Sequence, residues 1–258
     1  MLRGLYTAYT GMVAEQNRLD CISNNLANAS TVGYKSESIV NQSFEDMLTI
    51  KIRDGSEAYQ NRAIGVMSLG TKTGEVYTSY EQGSLRETGN TYDIAISGDG
   101  FFAVRMTNRN GEDTIRYTRN GNFKMTADGY IVDVDGNHLQ SDSGDLVVPT
   151  NVSDIRIDEQ GNVFADGVAI DHISLVDFDN YDYLKKFNDC YYTALDGVTK
   201  MDATGQLLQG YTEQSNVSVV NEMVKMITVT RAYEAGQKMI QTEDEIMQQA
   251  VNSVGRVG

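Results

Sequence analysis

The chain has 258 residues and a net charge of -15, with 21 Lys and Arg against 36 Asp and Glu. Phosphate contacts need a basic surface, so this balance argues against a nucleic-acid partner. A mean hydropathy of -0.37 comes with no run long and apolar enough for a membrane helix, and the length allows one or two domains with real cores.

The segment from Met1 to about Lys35 reads as a long amphipathic helix. Leu5, Met12, Leu19 and Leu26 return every seventh residue, with Ala8 and Ile22 beside them. Such a repeat keeps an apolar seam facing a partner helix in a left-handed supercoil. Its opening, MLRGLYTAYTGM, has one basic residue and no apolar h-region, so no cleavable secretory signal is expected. The helix is expected to stop near Ala29–Gly33, where Ser30 and Thr31 precede Gly33. Asn24, Asn25 and Asn28 sit at its end. Asparagine is a poor helix former, so these residues mark either a fraying end or amides that fix the register of a contact.

Ser36–Ile52 alternates poorly and reads as extended or partly helical, and the polar stretch Arg53–Gly74 reads as a loop. From Glu75 to about Asp177 the pattern changes to short strands between turn dipeptides: Asp99-Gly100, Asn110-Gly111, Asn120-Gly121, Asp128-Gly129, Asp135-Gly136 and Asp166-Gly167. Candidate strands are Phe101–Met106, Thr114–Thr118, Gly129–Val134 and Asp154–Ile157, and the sum predicts an antiparallel β domain. The single proline, Pro149, fits a strand end. Leu175–Phe187 shows no single period. Cys190–Tyr211 reads as extended, with turns at Asp196-Gly197 and Gly205.

Glu213–Gly258 is the second long helical segment. Val219, Met226, Tyr233, Ile240, Met247 and Val254 recur at sevens. Ser215 or Ser218 can cap its start, Glu222 suits its early turns, and Gly255 marks its end. The expected fold class is α+β: long N- and C-terminal helices pairing as a coiled-coil-like unit, with an inserted antiparallel β-rich domain. Residues 1–35 with 213–258 make the helical assembly unit, 75–177 the β-rich domain, and 36–74 with 178–212 an extended or linker region.

Candidate chemistry is sparse. Gly98-Asp99-Gly100 is followed by Phe101-Phe102-Ala103-Val104, which is strand-like, whereas a dinucleotide loop opens a helix. Asp133-Val134-Asp135-Gly136-Asn137 resembles part of a calcium loop, but Ile131 would occupy the first ligand position. His138 and His172 have no local partner at metal spacing. No nucleophile elbow is present, and carboxylates such as Asp177 and Asp179 fit a solvated surface. Cys21 and Cys190 form no CxxC pair and read as free thiols. Tyrosines Tyr77/Tyr80, Tyr181/Tyr183 and Tyr191/Tyr192 suit either a β core or contacts with neighbours.

NNLANASTVGYK near the start, and EQSNV with EMVKMI and RAYEAGQKMIQT near the end, resemble the terminal signatures of the flagellar rod and hook proteins. QGSLRETGNTYDIAISGDGFFAV and YTRNGNFKMTADGYIVDVDG resemble the central segments of the family's distal-rod branch. The resemblance implies a structural subunit of the bacterial flagellar basal-body rod, polymerising into a helical tube that transmits torque. It implies partners among copies of itself, other rod and hook subunits, and the flagellar type III export apparatus. It also implies export without signal-peptide cleavage, and no enzyme activity, cofactor, metal, nucleic acid or small-molecule substrate. The assembly interface is then expected to include Leu5, Met12, Leu19, Asn24, Asn25, Leu26, Asn28, Gly33, Val219, Met226, Tyr233, Ile240 and Met247, the asparagines bonding backbone groups of neighbouring subunits. Phe44 with Leu48 fits the family's short export pattern, as Phe164 with Val168 does. The alternatives are a proximal-rod or hook-type subunit, or a secreted carbohydrate-binding β protein with a coiled-coil stalk. The latter often stacks sugar on tryptophan, and Trp is 0 here.

Overall fold

A computed structural model describes residues 2–51, 62–108, 111–152, 154–195 and 197–254. The chain forms two compact units. The first comprises Met1–Ala27, Glu37–Ser79 and Ser218–Gly258; the second comprises Asn28–Ser36 and Tyr80–Val217. Residues 178–212, read from sequence as extended or linker, therefore belong to the second unit, together with Asn28–Ser36.

The first unit is built on α1 (Leu2–Ala27) and α2 (Val219–Val254). The unit also holds two small antiparallel sheets. In one, β1 (Glu37–Ser43) pairs with β4 (Thr71–Thr78); in the other, β2 (Met47–Lys51) pairs with β3 (Arg62–Met67). No helix forms in 36–51, and 62–78 is mostly strand rather than loop; residues 52–61 lie outside the described residues. These strands escape a periodicity search for a physical reason. β4 reads TKTGEVYT, with side chains half-buried or exposed along its whole length, so no buried face imposes alternation.

Helices α1 and α2 run side by side and antiparallel: Gly4 lies against Glu243, Met12 against Gly236 and Asn25 against Glu222. Along α2 the less exposed positions are Glu222, Met226, Val229, Tyr233, Gly236, Ile240, Glu243, Met247 and Ala250, stepping alternately by four and three, with Thr230 the one addition. The expected stripe from Met226 to Met247 is half of this seam. The other half includes Glu222, Gly236 and Glu243, which no apolar search finds. Glu243 places its carboxylate against the first turn of α1, where free amides favour negative charge. Gly236 leaves room for Met12, since a Cβ there would come within 2.7 Å of its Cγ.

The second unit is antiparallel throughout. Its largest sheet runs Leu184–Phe187, Tyr191–Ala194, β8 (Asp113–Thr118), β7 (Phe101–Thr107), His138–Ser141, Ile131–Val132 and Lys124–Met125, with Leu175–Phe178 also on β7. A separate meander joins Ile155–Ile157, Asn162–Ala165 and Val168–His172. Two further pairs reach across the chain: β5 (Leu85–Glu87) with Tyr211–Glu213, and β6 (Ile94–Ser97) with Gln206–Gln209. Phe101–Val104 is apolar without alternation because both faces of β7 are covered. Phe102 and Val104 join Ile94, Ile96, Leu139 and Leu207 in one cluster; Phe101 and Ala103 join Tyr117, Phe178 and Tyr192 in another.

The turn dipeptides do different jobs. Asp166 and Gly167 both have positive φ, 48° and 83°, as a two-residue type I′ hairpin requires. Gly121 is not in that region; a Cβ there would collide with the Ile94 carbonyl. Asn110 and Asp196 lie outside the described residues, as does Gly255. The Gly129–Val134 strand is reduced to Ile131–Val132.

The pairings place Tyr191, Tyr192 and Leu207 in the core of the second unit. A fragment of residues 75–177 lacks all three. Each such loss costs about 2–5 kcal/mol, so the fragment is expected to show no cooperative thermal transition by circular dichroism. A sharp transition would show that these side chains are dispensable.

Candidate assembly site

The terminal signature blocks meet within each unit. In the first unit the meeting point is Asn25, 2% exposed. Its Nδ2 donates to Glu37 O at 2.7 Å, and Glu37 N donates to its Oδ1 at 3.0 Å. The side-chain amide thus copies the pairing of a neighbouring strand and ties α1 to the start of β1. Nδ2 also approaches Glu222 Oε2 on α2 at 3.5 Å, while Lys225 Nζ lies 2.6 Å from Glu222 Oε1. The Asn25 amide, expected to reach a neighbouring subunit, is engaged in its own chain.

In the second unit the segment Gly33-Tyr34-Lys35 is fully buried. Gly33 has φ 71°, and a Cβ there would collide with the Arg119–Asn120 backbone. Its N–H donates to Glu213 O at 2.8 Å. Lys186 Nζ sits 4.0 Å from the Tyr34 ring centre, a cation–π contact. Lys35 Nζ lies 2.6 Å from Glu213 Oε1 and donates to Glu81 O at 2.8 Å, with both ionic side chains 1% exposed. Gly83 N donates to the same Glu213 oxygen at 2.8 Å, and Arg119 stands 3.5 Å from the other. Burial lowers the Lys35 pKa, with Glu213 opposing the shift. The rest of EQSNV serves the same junction: Gln214 N donates to Ser84 O, and Asn216 Oδ1 accepts from Ser36 N.

Most of the remaining expected positions lie along the two helices. Leu5, Met12, Leu19 and Leu26 on α1 are half-buried, as are Met226, Tyr233, Ile240 and Met247 on α2. Val219 is 39% exposed. Asn24 is exposed, and Asn28 Oδ1 accepts from Thr31 Oγ1 at 3.0 Å. Phe44 is half-buried beside Gly70, whose carbonyl accepts its N–H at 3.0 Å; the Leu48 and Val254 side chains lie outside the described residues.

Other candidates become part of the fold. Tyr80, Tyr181 and Tyr192 pack around Phe101 rather than forming an open stack. Tyr191 lies 2.7 Å from carboxylate oxygens of both Asp133 and Asp135, which fastens the calcium-like turn; burial first and these carboxylates second raise its pKa. Burial pushes the Cys190 thiol up to about 12, and neither cysteine is in a disulfide. Among the described residues, no three His, Cys, Asp or Glu side chains converge as a metal site.

A helical unit made from both ends of the chain, with a β unit from its middle, defines a class of structural building block. Residues 5–35 match the flagella basal body rod protein family, 95–165 the flagellar hook protein FlgE/F/G D1 domain, and 208–253 the flagellar basal body rod FlgEFG protein C-terminal region. Over 98% of the chain it is 36% identical to the flagellar basal-body rod protein FlgG of Bacillus subtilis, covering 99% of that protein. FlgG of Caulobacter vibrioides is 37% identical over 96% of this chain and 97% of its own; FlgF of the same organism is 31% identical over 100% of both. The chain belongs to the flagellar basal-body rod protein family, whose members are structural rather than enzymatic. The likeness runs to the distal-rod type and does not favour the carbohydrate-binding alternative.

Two predictions follow from the buried contacts. Lys35→Met leaves Glu213 buried with only Arg119, 3.5 Å away, as a cation and leaves Glu81 O without its donor, and is expected to cost about 3–5 kcal/mol in urea unfolding. Adding Glu213→Gln keeps an acceptor for Gly83 N but leaves the buried Arg119 guanidinium without its anion, and is expected to recover little of that stability; a double variant close to the parent would mean that the bare carboxylate alone causes the loss. Asn25→Ala is expected to lose about 1–3 kcal/mol, because the Glu37 backbone groups lose their partners. Equal effects of Asn24→Ala and Asn25→Ala would contradict that assignment.

Proposed function

We propose that this rod subunit polymerises into a helical tube that transmits torque, using its helical unit as the assembly element. The observation that carries the reading is the alternating four-and-three burial along α2, combined with large apolar side chains exposed on the same helix. Val220, Met223, Val224 and Ile227 are 48–71% exposed. An inner seam supports coiled-coil-like pairing of α1 and α2, and the outer residues leave apolar surface for further copies.

On this reading Leu5, Met12, Leu19, Leu26, Met226, Tyr233, Ile240 and Met247 make the seam that presents the interface, and Val219 and Asn24 belong to the contact between copies. Gly33 and Asn28 shape the turn after α1, and Asn25 fixes its end. Head-to-tail contact between identical surfaces that do not close generates a filament, and torque passes through many such contacts. Other rod and hook subunits meet the ends of the filament. Export through the flagellar type III apparatus, without cleavage and with Phe44 and Leu48 as the recognition element, completes the proposal and leads the chain to the basal body.

Electron microscopy of the purified chain at rising concentration tests this directly. Filaments are expected for the parent. Ile240→Asp, which sets a charge costing several kcal/mol (roughly) into the seam, is expected to remove them and to abolish swimming while soluble protein persists. Normal swimming with Ile240→Asp would take the seam out of assembly.

A further inference from the structure

We propose that the hairpin tip Asp166–Ile170 of one copy docks into a groove on the β unit of a second copy, lined by Ile115, Thr193, Leu195 and Val198. The proposal rests on the self-assembly reading and adds a contact that uses no residue of either terminal helix.

The groove has a volume of about 320 Å³, with Tyr117 and Lys200 also in its wall. Ile115 and Leu195, 49% and 47% exposed, leave apolar surface open to water there. Thr193 connects the groove to two further cations. Its Oγ1 accepts from Arg116 at 2.6 Å, and its partner on the neighbouring strand is Lys185. The Arg116 guanidinium stands 4.7 Å over the Phe187 ring, and Lys200 Nζ 5.5 Å from the Tyr117 ring centre. Among the described residues none of Arg116, Lys185 and Lys200 forms an ion pair. The unit around them holds most of the chain's excess carboxylates, yet none of these is placed to neutralise them. Cations laid against aromatic rings lose freedom in advance, so an incoming carboxylate meets charges already in position.

The occupant follows from charge and exposure together. Asp166 to Ile170, reading DGVAI, are exposed without a break where the hairpin opens the outermost strand of the meander. Among the described large apolar side chains of the second unit, Val168 is the most exposed, at 68%. Asp166 stands two residues before it. Its Oδ1 accepts from Asp154 N at 3.1 Å, and its other oxygen is left for a cation. An aliphatic side chain beside a carboxylate thus matches an aliphatic groove beside cations, the pairing that steers and selects an encounter. Val134, at 61% the next most exposed of these side chains, lacks that match, because the neighbouring Asp135 carboxylate is engaged by Tyr191 at 2.7 Å. Tip and groove are different patches, so the contact is heterologous and propagates from copy to copy.

Cysteine pairing tests the contact in a Cys21→Ser background; the remaining Cys190 is buried and its thiol is held protonated. One pool of chain carries Val168→Cys and another Leu195→Cys, both at exposed positions. Mild oxidation of the mixture at concentrations that give parent filaments is expected to yield dimers with one chain from each pool, while neither pool alone dimerises. Adding Asp166→Asn to the first pool keeps the turn and the acceptor for Asp154 N, and is expected to lower the yield of bridged dimer several-fold. Independently, Val168→Glu is expected to melt with the parent yet give several-fold fewer filaments. Parent filaments without a Val168–Leu195 bridge would overturn the docking while leaving self-assembly intact, as would normal filaments from Val168→Glu. A bridge yield unchanged by Asp166→Asn would remove the charge match on which the occupant was chosen. In oxidised cells, a bridge from Leu195→Cys only to a chain of different mass would assign the groove to another protein and overturn the proposal too. Absence of filaments and bridges at every concentration would remove the self-assembly reading itself, and this contact with it.

Discussion

A lysine ammonium that is 1% exposed must be held by its surroundings, and Lys35 is held by Glu213, 178 residues away in sequence. Taking both charges out of water costs several kcal/mol per ion (an order-of-magnitude figure), which only close geometry and further hydrogen bonds offset. Those bonds come from Glu81 O and Gly83 N. Arg119, itself buried over the Phe101 ring, adds a second cation. The pair fixes how the chain emerging from α1 meets the chain entering α2. Gly33 bonds the backbone of Glu213, and Gln214 and Asn216 bond Ser84 and Ser36 beside it.

The first unit repeats the principle with a neutral group. Asn25 spends both ends of its amide on the Glu37 backbone and touches the buried Glu222. A fixed start for α2 and a fixed end for α1 set the antiparallel register of the two helices. That register brings Gly236 to Met12 and Glu243 to the first turn of α1. Most of the excess acidic charge lies in the second unit, which leaves the helical unit closer to neutral and better suited to packing against copies of itself.

The legible parts of this chain are those where one face or both faces are buried in a regular way. The helices were visible because Met226, Tyr233, Ile240 and Met247 return at sevens, and β7 because Phe101–Val104 is apolar on both faces. Three kinds of feature stayed hidden. β4 is half-buried or exposed along its whole length, with no buried face to reveal. Seam positions Glu222, Gly236 and Glu243 are not apolar, since each is matched to a particular partner. Lys35 and Glu213 are residue types that default to the surface, and no local spacing links them. Asn25 was conspicuous as a poor helix former, yet its partner, Glu37 of the same chain, could not be read from composition.

Native-state hydrogen exchange on the monomer tests most directly the claim that the chain ends are locked by the Lys35–Glu213 contact. The Gly33 amide, bonded to Glu213 O at 2.8 Å, and the Gln214 amide should exchange only with global unfolding, at the rate of Phe102 and Val104 in β7. Exposed turns such as Gly136 should exchange many orders of magnitude faster. Rapid exchange at Gly33 and Gln214 beside a protected β7 would show that the ends are loosely held and that the buried pair does not organise the fold.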